Sequence, residues 1–255
     1  MAKTVFITGA TSGFGKATAI KYAQNGNRLI LTGRRNDRLE TLKLELETKY
    51  NAQVLVLNFD VRDEKATTAA IENLRDTWKN IDVLVNNAGL ASGLDPIQTG
   101  NFDDWNKMID TNVKGLLYVS RAIIPLMIQQ KSGHIVNIGS TAGKEVYPNG
   151  NVYCASKHAV DAITKGMRID LLPHQIKVTQ IAPGAANTEF STVRFHGDEA
   201  RADKFYQGFN PILAEDIAEL IFYATSLPAH LCINDLVVTS TAQANSYLIH
   251  REENL

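Results

Sequence analysis

Tyr153 and Lys157 stand four residues apart in the string NVYCASKHAV, a spacing that puts both side chains on one face of a helix. A phenol ordinarily titrates near ~10, too high to exchange protons readily at neutral pH. An ammonium beside it favours the phenolate and lowers that value, so the pair reads as a proton-transfer device: Tyr153 as general acid or base, Lys157 as the group that tunes it. Ser140 closes the run HIVNIGS, 13 residues before Tyr153, where its hydroxyl can hold a carbonyl or hydroxyl oxygen of a substrate. Asn112 falls inside the long helical stretch DTNVKGLLYVS. Asparagine is a poor helix former, and its side chain is expected to order water between Lys157 and solvent. Taken one by one, these residues also fit an exposed helix pair, a strand-end turn and a solvent-facing amide.

A second set of residues has the pattern of a dinucleotide cradle. The strand-like TVFIT leads into Thr8-Gly9-Ala10-Thr11-Ser12-Gly13-Phe14-Gly15, and a helical pattern follows at once. Glycines there permit a tight turn and let backbone N–H groups approach a pyrophosphate at the helix N-terminus. The spacing is G-x-x-x-G-x-G rather than G-x-G-x-x-G. After the second strand-like run, RLILT, come Gly33-Arg34-Arg35, where an NAD enzyme places an acidic residue against the ribose. Arginine makes bidentate, charge-assisted contacts to phosphate, so Arg34 and Arg35 favour the 2′-phosphate of NADP. The alternative is a pair of solvated charges at a helix entry.

These residues need a frame that brings strand ends together. Short β-branched runs recur at TVFIT, RLILT, QVLVLN, DVLVN, HIVNI, KVTQI and DLVVT, with helical periodicity between them, as in NDRLETLKLELETKY. The alternation predicts an α/β fold: a doubly wound parallel sheet with helices on both faces, in one domain spanning 1–255. Ligands of such sheets bind beyond the carboxyl ends of the strands. Asp60-Val61 after the third run, Asn86-Asn87-Ala88-Gly89 after the fourth and Pro183-Gly184 after the sixth therefore converge on the same crevice, Asp60 and Val61 at the adenine. Segments 103–131 and 151–173 are long, amphipathic and expected to pack side by side, with outer faces free for a second subunit. Segment 185–212 reads as a long loop covering the site.

Bulk properties exclude other classes. The 26 Lys and Arg against 27 Asp and Glu give no broad attraction to nucleic acid or anionic membrane. No apolar run approaches the roughly 20 residues that span a bilayer. Cys154 and Cys232 lack the paired spacing of a zinc site or disulfide framework, which fits a cytoplasmic protein. Six scattered histidines show no metal-ligand spacing, and Cys154 reads as a packing residue.

TGATSGFG, NNAG, the Asn of DTNVKG, the Ser of NIGS, YCASK and the PG turn occur in this order over nearly the whole chain. In this the sequence resembles the short-chain dehydrogenase/reductase family. The resemblance implies a Rossmann-like sheet of about seven strands, a Ser140-Tyr153-Lys157 triad with Asn112 as fourth member, hydride chemistry on a nicotinamide cofactor, and a homotetramer.

The segment PGAANTEFSTVRFHGDEARADKFY puts Thr188, Glu189, Phe190, Arg194, Phe195 and His196 in the expected lid. An arginine in an aromatic-lined lid suits a small carboxylate, and equally a surface ion pair. GLASGLDP, GSTAG, TEFSTVRF and SLPAHLCIN look like the subgroup of NADP-dependent 3-hydroxy acid dehydrogenases. That likeness implies serine, allo-threonine or 3-hydroxypropionate-type substrates and malonic semialdehyde reduction, with Arg194 as a substrate contact. A carbonyl or 3-oxoacyl reductase of the same family and a non-catalytic NADP-binding sensor stay open beside it, although a sensor has no need of an activated tyrosine.

Overall fold

The computed structural model describes residues 2–252; Glu253, Asn254 and Leu255 of the C-terminal tail lie outside the described residues. Seven parallel strands run β1 (Thr4–Ile7), β2 (Arg28–Gly33), β3 (Val54–Asn58), β4 (Val83–Asn86), β5 (His134–Ile138), β6 (Lys177–Pro183) and β7 (Asp235–Val238), in the spatial order β3-β2-β1-β4-β5-β6-β7. The order reverses between β1 and β4, so the carboxyl ends of these two strands flank a crevice.

Alternation within each strand sends side chains to two cores. Val5, Ile7, Leu29 and Leu31 join the cluster beneath α1 (Gly13–Gln24), α2 (Asn36–Tyr50) and α9 (Ala214–Ser226). Phe6, Ile30, Leu84 and Ile135 point to the opposite face, covered by α3 (Glu64–Glu72), α5 (Leu116–Gln130) and α6 (Asn151–Asp170). Both faces of the central strands are therefore apolar, as continuous hydrophobic runs require.

The segment expected as one helix over 103–131 divides. α4 (Phe102–Ile109), capped by Asn101, passes into a π-helical turn at Asp110–Gly115 before α5. Asn112 sits in that wide turn, a local widening that sequence periodicity does not register. The stretch 185–212 is likewise less open than expected, since it contains α7 (Glu189–Arg194) and α8 (Glu199–Tyr206). Thr188 and Asp198, whose side chains accept backbone N–H bonds, start these two helices.

Polar side chains tie α6 to the sheet. Asn86 of β4 donates to Ser120 of α5 and Asn137 of β5, and Asn137 donates to Thr164 of α6, all at 2.9 Å and all buried. At the other edge, Lys144 donates to Asp161 of α6 and Asp235 of β7, both at 2.5 Å. Burial pushes the Asp161 carboxyl up, but hydrogen bonds from Lys144, Lys165 and Gln180 outweigh it and bring it down to about 2. A carboxylate with a depressed folded-state pKa stabilises the fold above its ordinary value near ~3.9 and loses that contribution as pH falls toward the folded value. Asp161→Asn is therefore expected to lower stability by about 1 kcal/mol near neutrality, or about 2–4 °C in Tm. In denaturation measured across pH the gap should close below about pH 4. A gap unchanged down to pH 2 would show that charge is not its origin.

Candidate active site

β1 ends at a turn that only glycine can make. Gly9 has φ +65°, and a Cβ on Gly15 would lie 2.4 Å from the Gly9 carbonyl oxygen. The loop is braced from β4: Asn87 Nδ2 donates to the carbonyls of Thr8 and Gly9, and Thr8 Oγ1 accepts from the backbone of Asn87 and Ala88. The first-turn N–H groups of α1 have no helical acceptor, and Gly13 and Phe14 line the cleft. They form a ready site for a pyrophosphate.

The cleft measures ≈ 760 Å³. It brings together Gly9, Thr11, Ser12, Gly13, Phe14, Arg34, Arg35, Asp60, Val61, Asn87, Ala88, Gly89, Ser140, Tyr153, Lys157, Pro183, Gly184, Thr188 and Arg194. Of the residues expected there, Gly15 and Asn112 support its wall without lining it, Asn86 turns into the core toward Ser120 and Asn137, and Phe195 and His196 of the expected lid do not reach it.

At the ribose end the two arginines differ. Arg34 is well exposed and only 3.8 Å from Asp60, whose carboxylate is principally held by Arg62. Burial pushes the Asp60 carboxyl up, yet Arg62 and Arg34 bring it below the usual range. Arg35 is already engaged: Nε and Nη2 donate to Thr11 Oγ1, Nη2 to Ser12 Oγ, and Nη1 to Glu189. The free guanidinium of Arg34 beside this loop fits an additional phosphate on the ribose.

On α6, Tyr153 and Lys157 both face the cleft, with Lys157 Nζ 6.0 Å from the Tyr153 ring centroid. Lys157 donates to the Ile138 carbonyl at 2.9 Å, and its burial brings the ammonium down to about 8. The expected lowering of Tyr153 by this neighbour is corrected. Burial dominates and pushes the phenol up, with Tyr147 adding to the rise; the Ser140 hydroxyl and Arg194 pull against it. Ser140 Oγ is set by a bond from Ala142 N and one to the Pro183 carbonyl. Its place at the carboxyl end of β5 is the one expected.

The role expected for the Asn112 side chain is also corrected. Its Oδ1 accepts from Leu90 N, and both Nδ2 hydrogens are taken, by the Leu90 carbonyl and Ser156 Oγ. A carboxamide with no free donor pins the loop after β4 instead of ordering a water chain.

α7 covers the open side of the cleft. Phe190 packs edge-on against Tyr153, ring centroids 5.5 Å apart. Arg194 donates to the Tyr147 hydroxyl at 2.9 Å and lies 5.8 Å from the Tyr153 ring, while its Nε is buried with no hydrogen-bond partner. Sequence reasoning missed Tyr147, which sits in a polar turn without a motif. It also missed Arg38, which donates to Glu189 at 2.6 Å from the exposed face of α2. Gln243, whose Oε1 accepts from Ala185 N, was missed as well, since it stands in no motif. Beyond it the chain folds back: Arg251 bonds the carbonyls of Gln207 and Phe205, and Tyr247 and Ile249 line the cleft.

A dinucleotide crevice at the sheet's reversal point, with a serine, tyrosine and lysine at its centre, defines a Rossmann-type oxidoreductase. The short chain dehydrogenase family model matches residues 3–199, and the chain belongs to that family. It is 47% identical over 254 residues to sulfoacetaldehyde reductase 2 of Chromohalobacter salexigens, covering 99% of this chain and 100% of that one. It is 45% identical to the NADP-dependent 3-hydroxy acid dehydrogenase YdfG of Salmonella typhi, covering 97% and 99% of the two chains. Among solved structures, the closed form of serine dehydrogenase complexed with NADP+ superposes with a TM-score of 0.92 at 43% identity, covering 98% of this chain and all of that one.

Replacing Tyr153 by phenylalanine removes a hydroxyl that faces the cleft without touching the glycine loop. Tyr153→Phe is expected to cut turnover by about 10²–10⁴-fold while the dissociation constant for NADP+, read by fluorescence titration, stays within about twofold of the parent. A rate near that of the parent would remove Tyr153 from the chemistry.

Proposed function

We propose that the protein is an NADP-dependent oxidoreductase that interconverts a small 3-hydroxy acid, of the serine, allo-threonine or 3-hydroxypropionate type, with its 3-oxo form. The observation that carries this reading is Arg194. Its Nε is buried without a partner, its Nη2 is steadied by Tyr147, and its guanidinium stands 5.8 Å from the ring of Tyr153. A desolvated guanidinium beside a proton-exchanging phenol fits a substrate whose carboxylate is joined to its carbinol by a very short chain. The 3-hydroxy acid and serine named for the YdfG and serine dehydrogenase relatives agree with that size and charge.

Ser140 holds the substrate oxygen; in oxidation Tyr153, once ionised to the phenolate, takes the hydroxyl proton, with the Lys157 ammonium 6.0 Å from its ring. In reduction Tyr153 returns the proton. NADP, when bound, supplies or accepts the hydride. Arg34 would hold its 2′-phosphate, the first turn of α1 its pyrophosphate, and Thr188, Pro183 and Gly184 the nicotinamide end. The residues fit this group because the glycine turn and unpaired helix N–H groups leave the backbone open where an anion must sit.

A second reading follows from the 47% identity to sulfoacetaldehyde reductase 2: the same guanidinium receives a sulfonate. We also read the protein as a cytoplasmic homotetramer. Two unpaired cysteines suit a reducing compartment, and Phe102, Ile169 and Leu172, each more than 70% exposed, supply apolar area for subunit contacts.

Steady-state kinetics on L-serine, 3-hydroxypropionate and sulfoacetaldehyde rank the substrates by kcat/KM. Arg194→Met should lower kcat/KM for the preferred anion by about 10- to 100-fold, with little change for an uncharged alcohol of similar size. Equal losses on both would dismiss the carboxylate clamp. Arg34→Asp should cut the NADP over NAD preference by about 10-fold or more, and an unchanged preference would remove the 2′-phosphate assignment.

A further inference from the structure

Arg34 and Arg35 line the predicted 2′-phosphate position, Arg38 stands beside them on α2, and the three are not equally free. Arg34 has only a 3.8 Å approach to Asp60. Arg35 spends Nε and Nη2 on Thr11 and Ser12 of the glycine loop, leaving Nη1, which Glu189 Oε2 engages at 2.9 Å. The other carboxylate oxygen, Oε1, receives Arg38 Nη1 at 2.6 Å. Glu189 is the first residue of α7, directly after Thr188 and five residues before Arg194. One lid carboxylate thus reaches across the cleft to two guanidiniums of the loop and helix that follow β2.

We infer that Glu189 is a cofactor-discriminating residue acting from the lid: its carboxylate occupies the guanidiniums of Arg35 and Arg38 that a ribose 2′-phosphate also approaches, so it weakens NADP binding relative to NAD. The inference rests on the NADP reading above and adds an antagonism to it. A phosphate dianion seated between Arg34 and Arg35 lies near a carboxylate that shares Arg35, and like charges raise each other's energy. Cofactor lacking the phosphate meets no such repulsion. The same contact makes the lid sensitive to the phosphate, because the dianion draws Arg35 and Arg38 away from Glu189 and loosens the start of α7. All three side chains are 39–46% exposed, so the effect is moderate and screened by salt.

Calorimetric titration of the full-length protein with 2′,5′-ADP and with 5′-AMP isolates the 2′-phosphate without any turnover. Glu189→Gln is expected to tighten 2′,5′-ADP by about two- to fivefold and to leave 5′-AMP essentially unchanged. Glu189→Asp, which keeps the charge, should keep the parent's ratio of the two affinities, and 0.5 M salt should shrink the glutamine effect. Unchanged or weaker 2′,5′-ADP binding by Glu189→Gln, or an equal shift for both nucleotides, overturns the inference while a parental preference for 2′,5′-ADP upholds the NADP reading. A parent that binds 2′,5′-ADP no better than 5′-AMP overturns both.

Discussion

Lys157 brings an ammonium almost completely out of water, into the space between the ends of β4 and β5, and most of the site follows from how that burial is tolerated. The Ile138 carbonyl at the end of β5 accepts one of its hydrogens. The rest of the amine faces a cleft that a polar cofactor and substrate can fill. Holding it there requires α6 to be fixed against the sheet to within a hydrogen bond, which apolar packing alone does not do, since hydrophobic contact is non-directional. The directional part comes from the buried amides and hydroxyls: Asn86 to Asn137, Asn137 to Thr164, Asn112 to Ser156. Asn137 and Asn112 are paired through both oxygen and nitrogen, which is the condition for a buried polar group to fix geometry instead of weakening the core, whereas Asn86 donates both hydrogens and leaves its Oδ1 unpartnered.

The same logic explains the crossing between β1 and β4. Parallel strands leave their terminal carbonyls and N–H groups without sheet partners where the chain turns away, and here the cleft begins. Thr8 and Asn87 pair those groups across the gap, so the glycine loop is rigid although its sequence is built for turning. A rigid loop keeps its unsatisfied helix N–H groups aimed at one point, which is what anion binding needs.

What could be read beforehand divides along physical lines. All seven strands were legible as apolar, β-branched runs, which burial on both faces demands in the central strands and which the less buried edge strands β3 and β7 share, and the glycine loop because its turn tolerates few other residues. Tyr153, Lys157 and Ser140 were legible as company, through order along the chain. Their energetics were not. Periodicity places Lys157 beside Tyr153 but cannot say that the ammonium bonds a main-chain carbonyl, or that burial governs the phenol. Nor does sequence register a π-turn: the weak helix formers of DTNVKG at Asp110–Gly115 do not say how the helix gives way, and the extra width is seen only where Asn112 reaches Leu90. Tyr147, Arg38 and Gln243 lie in a turn, on a solvated helix face and in a tail, where composition says nothing of long-range partners.

The lid shows why such surface partners matter to function. α7 is six residues long, too short to be stable by itself, so its position is set by what it touches at each end. At one end Thr188 and Glu189 meet the glycine loop and the arginines after β2; at the other Arg194 rests on Tyr147 beside the Tyr153 ring. The C-terminal tail braces the same region, with Gln243 on Ala185 and Arg251 on the carbonyls before Gly208. A short helix held at one end by exposed ion pairs to Arg35 and Arg38 and at the other by Tyr147 can shift without the sheet moving. That leaves the buried machinery fixed and confines adjustment to the cover, a division consistent with stability concentrated in the sheet and local opening assigned to binding loops.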